Sequence, residues 1–336
     1  MEDGEGAGPE GILLGRAPVM RELRRQLREL ARAPFRSALV LGETGVGKEL
    51  VPRFLLAASP ALARLEVFNC PAVPQDHLES ELFGTSRGAY PGAVDRPGLA
   101  ERADGGLLFL DEIGSAPPAH QAKLLRFLES GEARRLGATR GYRVRASILA
   151  AAQEDLCAAV AGGRFREDLY YRLVQDAVLR VPPLRERLED VPLLARAFLA
   201  ELPGAPGLAD AAALRLCDHA WPGNVRELRA VVAGAARLRR GPELSAGEIE
   251  ASIGRVAAPP RESPAAAGRA SFYAATRELR RGLLLDALRR SGGNQTRAGV
   301  LLGLHGGGEA PDLRARKRAH RMFRYWWERL LEPGLH

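Results

Sequence analysis

Short apolar runs alternate with amphipathic stretches over the first half of the chain. Five runs stand out: Ala38–Leu41, Val67–Asn69, Leu107–Leu110, Ile148–Ala152 and Ala177–Val181. Each is too short for a buried helix, and their apolar character is that of strands covered on both faces. Helical patterns separate them, among them Glu49–Ala58 and Pro118–Ser130. Strands alternating with helices predict an α/β unit built on a parallel sheet. An amphipathic lead-in helix is predicted over residues 12–34, ending at Pro34, and Pro182-Pro183 closes the unit. Residues 184–253 read as all-helical, with turns at Pro203-Gly204 and Trp221-Pro-Gly-Asn224. Residues 254–270 read as a flexible linker, and a small helical unit follows from Ser271.

Composition narrows this picture. The chain has 336 residues, 46% of them hydrophobic, enough for a sizeable core in two or three units. Cys70, Cys157 and Cys217 lie far apart without metal-ligand spacing, which points to buried thiols in a reducing compartment. No run of 18 apolar residues occurs and the first residues are polar, so neither a membrane span nor a secretory signal is expected. Of the net charge of +8, most sits at one end: residues 271–336 hold 13 Lys and Arg against 6 Asp and Glu. A basic tail suggests a polyanionic partner, although arginine in an Ala-rich chain also serves solubility.

Two segments carry candidate chemistry. Gly42-Glu-Thr-Gly-Val-Gly-Lys-Glu49 follows the first apolar run, where a strand should end and a helix begin. Glycines let the backbone turn its N–H groups onto phosphates, Lys48 would reach the β- and γ-phosphates, and the helix N-terminus adds positive potential. The chain has 3 lysines, so one at this spacing is informative. The nucleotide-binding set is Gly42, Glu43, Thr44, Gly45, Val46, Gly47, Lys48 and Glu49; Glu49 stands where such loops usually carry a Ser or Thr that touches magnesium. The second segment is Leu107–Glu112, an apolar strand ending in two acids at the edge where open parallel sheets bind ligands. Asp111 would hold Mg2+ and Glu112 would polarise the attacking water, giving ATP hydrolysis its charge neutralisation and its oriented nucleophile.

Beyond these, the chain resembles the AAA+ domain of sigma-54-dependent bacterial transcription activators from Ile12 to Arg255. The resemblance is carried by Gly42–Glu49, Phe68-Asn-Cys70, Glu79-Ser-Glu-Leu-Phe-Gly84, Leu108–Ile113, Phe165-Arg-Glu-Asp-Leu-Tyr-Tyr-Arg-Leu173, Pro182-Pro-Leu-Arg-Glu-Arg187 and Trp221-Pro-Gly-Asn-Val-Arg-Glu-Leu228, in family order. In that family the phosphate loop ends in Glu, as Glu49 does. The resemblance implies an AAA+ P-loop ATPase core over 12–182 behind a short tail 1–11, then a helical lid over 183–253. After the linker 254–270 comes a small all-α DNA-binding-like domain over 271–336. It implies that Asn69 switches Glu112 and that Arg166 and Arg172 reach the γ-phosphate of a neighbouring subunit. Arg226 in the lid would sense the phosphates. Trans arginines imply a ring, expected to be a homo-hexamer, with sigma-54 RNA polymerase and DNA as partners and the bacterial cytoplasm, on the nucleoid, as its place.

The chain departs from the family at three points. The family's sigma-54 contact loop, Gly-Ala-Phe-Thr-Gly-Ala, is here Gly88-Ala89-Tyr90-Pro91-Gly92-Ala93. Proline removes a backbone donor and a hydroxyl and fixes φ, so coupling to sigma-54 is expected to weaken or be redirected. The family's Ala-Thr-Asn sensor is Ala151-Ala152-Gln153, with the amide one methylene further out. Pro52 is expected to kink the helix after the phosphate loop. About 11 residues precede the match, so no N-terminal sensor domain is expected. Two alternatives to the activator stay open: a remodelling ATPase of the same descent uncoupled from sigma-54, and a nucleotide-switched binding protein with little turnover.

The tail resembles the first two helices of the Fis-type helix-turn-helix that ends many such activators. Leu284, Leu285 and Leu288 make an apolar face, Asn294 could cap a helix Gln295–Leu302, and Gly303 could form the turn. The recognition helix does not follow: His305-Gly-Gly-Gly-Glu-Ala-Pro311 is a poor helix start. DNA contacts would fall to Asn294, Gln295, Thr296 and Arg297, and to Arg314, Arg316, Lys317 and Arg318 in a displaced basic helix. Either that helix still binds DNA, or the reader has decayed.

Overall fold

A computed structural model of the chain describes residues 9–74, 77–153, 156–256, 286–292 and 294–302. Contacts divide the chain into Met1–Ala257 and Ala258–His336.

In the first unit, a single turn of helix at Pro9–Ile12 precedes α1 (Pro18–Ala31), so the predicted 12–34 helix is interrupted. Pro18 sits at the start of α1, where its missing N–H is harmless, and holds Ala17 in an extended conformation. The N–H groups of Arg16 and Ala17 donate to Asp190 Oδ1 instead of to a helix. β1 (Ser37–Leu41) leads through the phosphate loop into α2 (Leu50–Ala58). Pro52 is the third residue of α2, inside the turn whose N–H groups need no helical partner, and the helix runs unbroken from Leu50 to Ala58. Then come β2 (Leu65–Asn69), β3 (Leu107–Asp111), α3 (Pro118–Ser130), β4 (Ser147–Ala152), α4 (Glu167–Leu173) and β5 (Ala177–Arg180).

These five strands form one parallel sheet in the order β2-β3-β4-β1-β5. Alternate residues serve opposite faces, as the pleat requires. Leu39, Leu108, Leu110, Ile148 and Ala150 pack with Leu124 and Phe127 of α3 and Leu169 and Leu173 of α4. Ala38, Val40, Leu107, Phe109 and Leu149 pack with Met20, Leu23 and Leu27 of α1 and Phe54 and Leu55 of α2. Burial on both faces explains why β4 is apolar or small at all six positions, none of them exposed.

A helical layer follows: α5 (Val191–Ala200), α6 (Asp210–Cys217), α7 (Asn224–Leu238) and α8 (Ala246–Val256). Trp221, fully buried, anchors its core with Leu194, Leu216, Leu228, Val232 and Ile249. This layer is not purely helical, because Gly207–Leu208 pairs with Glu243–Leu244. α8 runs three residues beyond the expected end at 253. Among the described residues no helix is long and apolar enough to cross a membrane.

In the second unit, residues 286–290 are helical and α9 (Gln295–Leu301) follows. Asn294 Oδ1 accepts the Arg297 N–H at 2.9 Å, the expected cap. Leu284, Leu285, Gly303, Arg314, Arg316, Lys317 and Arg318 lie outside the described residues.

Candidate active site

The loop after β1 folds around its own lysine. Gly45 and Gly47 take left-handed backbone, at φ +78° and +99°. Lys48 is buried, and its Nζ donates to the carbonyls of Gly42 (2.7 Å) and Glu43 (3.0 Å). Burial pushes its pKa down, while the nearby charges of Asp111, Glu112 and Glu49 pull it up and Arg226 pushes it down. Those five residues therefore share one electrostatic site at the carboxyl ends of β1 and β3.

Asp111 ends β3 half-buried, and desolvation, as the largest cause, raises its pKa. Its Oδ1 accepts the Glu112 N–H at 3.0 Å. Glu112 itself is left-handed (φ +52°, ψ +44°), a conformation that costs a non-glycine residue roughly 1–2 kcal/mol. Such strain is retained where a side chain must be aimed, as at reactive sites. Glu112 and Gln153 line a cleft of about 260 Å³ together with Ser115, Leu156 and Arg164. Gln153 Nε2 lies 3.5 Å from Thr44 Oγ1, so the longer amide stays at the phosphate loop. Asn69 ends β2 in register with Asp111 and is exposed; no hydrogen bond joins it to Glu112 among the described residues.

No cluster of three His, Cys, Asp or Glu among the described residues could hold a metal unaided. Asp111 still fits Mg2+, which is commonly held by one or two carboxylates plus substrate phosphates. A half-buried carboxylate with a raised pKa gains from such a cation.

Contacts between the phosphate loop and the helical layer were not legible in the sequence. Glu43, expected at the nucleotide, instead turns its carboxylate to the lid: Arg185 donates to it twice (2.6 and 2.7 Å) and Asn224 Nδ2 once (3.1 Å). Arg187 is buried, its pKa lowered to about 10 by desolvation, and donates to the Val46 carbonyl at 3.0 Å. Arg185, Arg187 and Asn224 all fall inside quoted motifs, but their partners lie about 140 to 180 residues away, so spacing gave no signal. Arg226 is exposed, its N–H donating to the Gly45 carbonyl, and Glu227 binds His219 and the Gly223 N–H.

Arg166, at the N-cap of α4, and Arg172 within it face elsewhere. Arg166 is exposed and forms a bidentate pair with Asp168. Arg172 donates twice to the Leu128 carbonyl, at the negative end of α3.

The loop at 88–93 caps a hairpin in which Gly84–Thr85 pairs with Arg96–Pro97. Thr85 Oγ1 donates to the Val94 carbonyl and the Arg87 N–H to Asp95, closing the neck. Ala89 packs against Gly137, where a Cβ would lie 2.6 Å from its Cα. At the tip, the Ala93 N–H donates to the Tyr90 carbonyl (3.0 Å) and Gly92 has φ +82°. That is type II turn chemistry, with proline favoured at the second position and glycine at the third. Pro91 therefore suits the turn at the tip, beside Tyr90, which is 49% exposed.

Comparison with known proteins extends these observations. Residues 13–178 match the family described as Sigma-54 interaction domain, and residues 185–266 match the AAA+ ATPase lid domain. The Nif-specific regulatory protein of Azotobacter vinelandii is 48% identical over 227 residues, 66% of this chain and 43% of that protein. The response regulator protein PilR of Pseudomonas aeruginosa is 40% identical over 313 residues, 90% of this chain and 69% of that protein. The chain thus spans between about two fifths and seven tenths of these relatives. A crystal structure of NtrX from Brucella abortus in complex with ATP aligns with TM-score 0.65 at 29% identity, covering 95% of this chain and 70% of that one.

Proposed function

The chain belongs to the sigma-54-dependent transcription activators, and from that premise we propose that it hydrolyses ATP in a homo-oligomeric ring to remodel sigma-54 RNA polymerase at a promoter. The observation that carries this reading is the convergence of Lys48, Asp111 and Glu112 around a glycine-cradled loop, at the carboxyl ends of β1 and β3 on either side of β4. Lys48 and the loop N–H groups bind the phosphates. Asp111, together with the phosphates, would hold Mg2+, which would supply charge neutralisation there. Glu112 takes the water's proton, Asn69 switches Glu112 between activating the water and rest, and Gln153 presents its amide to the phosphates or the water. Arg226 holds the nucleotide from the lid.

Arg166 and Arg172 act on a neighbour's nucleotide. Support comes from their side chains pairing with Asp168 and with the end of α3, not with their own phosphate loop. They imply a ring, which we take to be a hexamer in the bacterial cytoplasm. The hairpin tip at Tyr90 and Pro91 is the sigma-54 contact. Its turn geometry favours the coupled reading over the uncoupled alternative, because proline suits that position. The basic second unit, with its Asn294-capped helix, holds DNA chiefly through phosphates.

Trapping with sigma-54 in ADP and aluminium fluoride tests this, with Pro91→Thr beside the natural chain. A complex with the natural chain is expected. A complex with Pro91→Thr alone would move the chain to the uncoupled class, and no complex with either would sink the activator reading.

A further inference from the structure

The lid grips the phosphate loop at four consecutive residues. The Glu43 carboxylate accepts from Arg185 and Asn224, and the Thr44 carbonyl accepts from Asn224 Nδ2 at 3.0 Å. The Gly45 carbonyl accepts the Arg226 N–H at 3.2 Å, and the Val46 carbonyl accepts from Arg187 at 3.0 Å. All four donors come from residues 185–226, on the lid side of Pro182-Pro183.

Asn224 is the hub of this grip. It is fully buried, holds left-handed backbone (φ +54°), and spends its whole amide: Oδ1 accepts the Leu184 N–H at 2.9 Å, while Nδ2 serves Glu43 and Thr44. Glu43 contributes an acidic side chain to a loop built to bind anions. Left alone, that charge would repel phosphates. It is tied to Arg185 by two parallel bonds, a geometry that fixes orientation as well as charge.

We propose that Glu43 is a positioning residue, the latch through which the lid sets the phosphate loop's shape, so that its loss weakens nucleotide binding more than the chemical step. The inference rests on the nucleotide reading of the loop. The sign of one substitution separates it from a purely electrostatic role. Glu43→Gln removes a negative charge beside the phosphates and leaves Arg185 unneutralised. Simple electrostatics then tightens nucleotide binding, whereas a broken latch loosens it.

The test is titration of the full chain with a fluorescent N-methylanthraniloyl-ATP, together with steady-state ATP turnover. Glu43→Gln is expected to raise Kd about 5- to 10-fold while kcat falls less than about threefold. Asn224→Asp, which turns donors into acceptors facing Glu43 and the Thr44 carbonyl, should be worse than Asn224→Gly, which keeps the backbone. The exchange Glu43→Arg with Arg185→Glu should recover most of the lost affinity, and it keeps the test decisive if a single variant unfolds. Unchanged or tighter binding by Glu43→Gln overturns the latch, as does a fall in kcat at constant Kd. If the natural chain binds no analogue in the same titration, the nucleotide reading itself falls, and the latch with it.

Discussion

Gly45 in the phosphate loop and Gly92 at the hairpin tip hold nearly the same backbone, φ +78° and +82°. Their surroundings differ. A Cβ on Gly45 would lie 2.5 Å from the Gly223 carbonyl oxygen, while one on Gly92 would meet nothing within 4 Å. The first loop is pinned by the lid at every residue from Glu43 to Val46, and the second is held at its neck and by Ala89, with its tip in solvent. A group that must meet a phosphate to within tenths of an ångström is built into packed structure. A tip that must reach a partner is left open, and its shape is set by local turn chemistry alone.

The sharpest separation of the two regions comes from stopping turnover without disturbing either loop. Glu112→Gln should lower kcat by roughly 10²- to 10⁴-fold, the worth of a general base, and leave binding of the fluorescent analogue unchanged. Equal loss of binding and turnover would remove Glu112 from that role. Gly45→Ala comes next. Left-handed strain of roughly 1–2 kcal/mol adds to a clash with backbone, so stability should fall by about 2–4 kcal/mol, with a lower Tm and at least about tenfold weaker nucleotide binding. A variant as stable and as tight as the natural chain would break the contrast on its pinned side.

Much of this was readable from the chain, for physical reasons. Strands buried on both faces have to be continuously apolar, so Ala38–Leu41 and Ile148–Ala152 were plain. The phosphate loop was plain because its function demands glycines at fixed spacing. What escaped depends on distant partners. The break before α1 is set by Asp190, more than 170 residues away, and the turn of Glu43 toward the lid by Arg185 and Asn224. Two-residue pairings such as Gly84–Thr85 with Arg96–Pro97 are too short to leave a period. Pro91 is different: Pro-Gly is a turn signature in itself, legible in the sequence, but the expectation about it concerned coupling to sigma-54, which turn geometry does not measure.

On the open side, Gly92→Ala carries the same left-handed strain without a clash. The turn can open locally, so global stability should change by about 1 kcal/mol or less, and ATP turnover should stay within about twofold. Trapping with sigma-54 should weaken, because the tip that carries Tyr90 is reshaped. A large fall in Tm would mean that the tip is packed more firmly than its empty surroundings imply.

The smallest effect tests the cost of the pinned region's chemistry. Burial holds the Asp111 carboxyl above the usual aspartate range; the Glu112 N–H and the Lys48 charge oppose this, and the charges of Glu112 and Glu49 add to it. The folded chain therefore binds that proton more tightly than the unfolded chain, and stability falls as pH rises through the interval between the two values. Above that interval the ionised carboxylate is a standing cost. Asp111→Asn removes it while Oδ1 can still accept the Glu112 N–H, so Tm at neutral pH should rise by about 1–2 °C even as hydrolysis is lost. The two Tm curves should converge as pH falls below the usual aspartate value of roughly 4. An Asn variant no more stable than the natural chain at neutral pH would show that Lys48 already compensates the buried charge. A gain that persists in acid would trace to packing, because an uncharged carboxyl has nothing left to relieve.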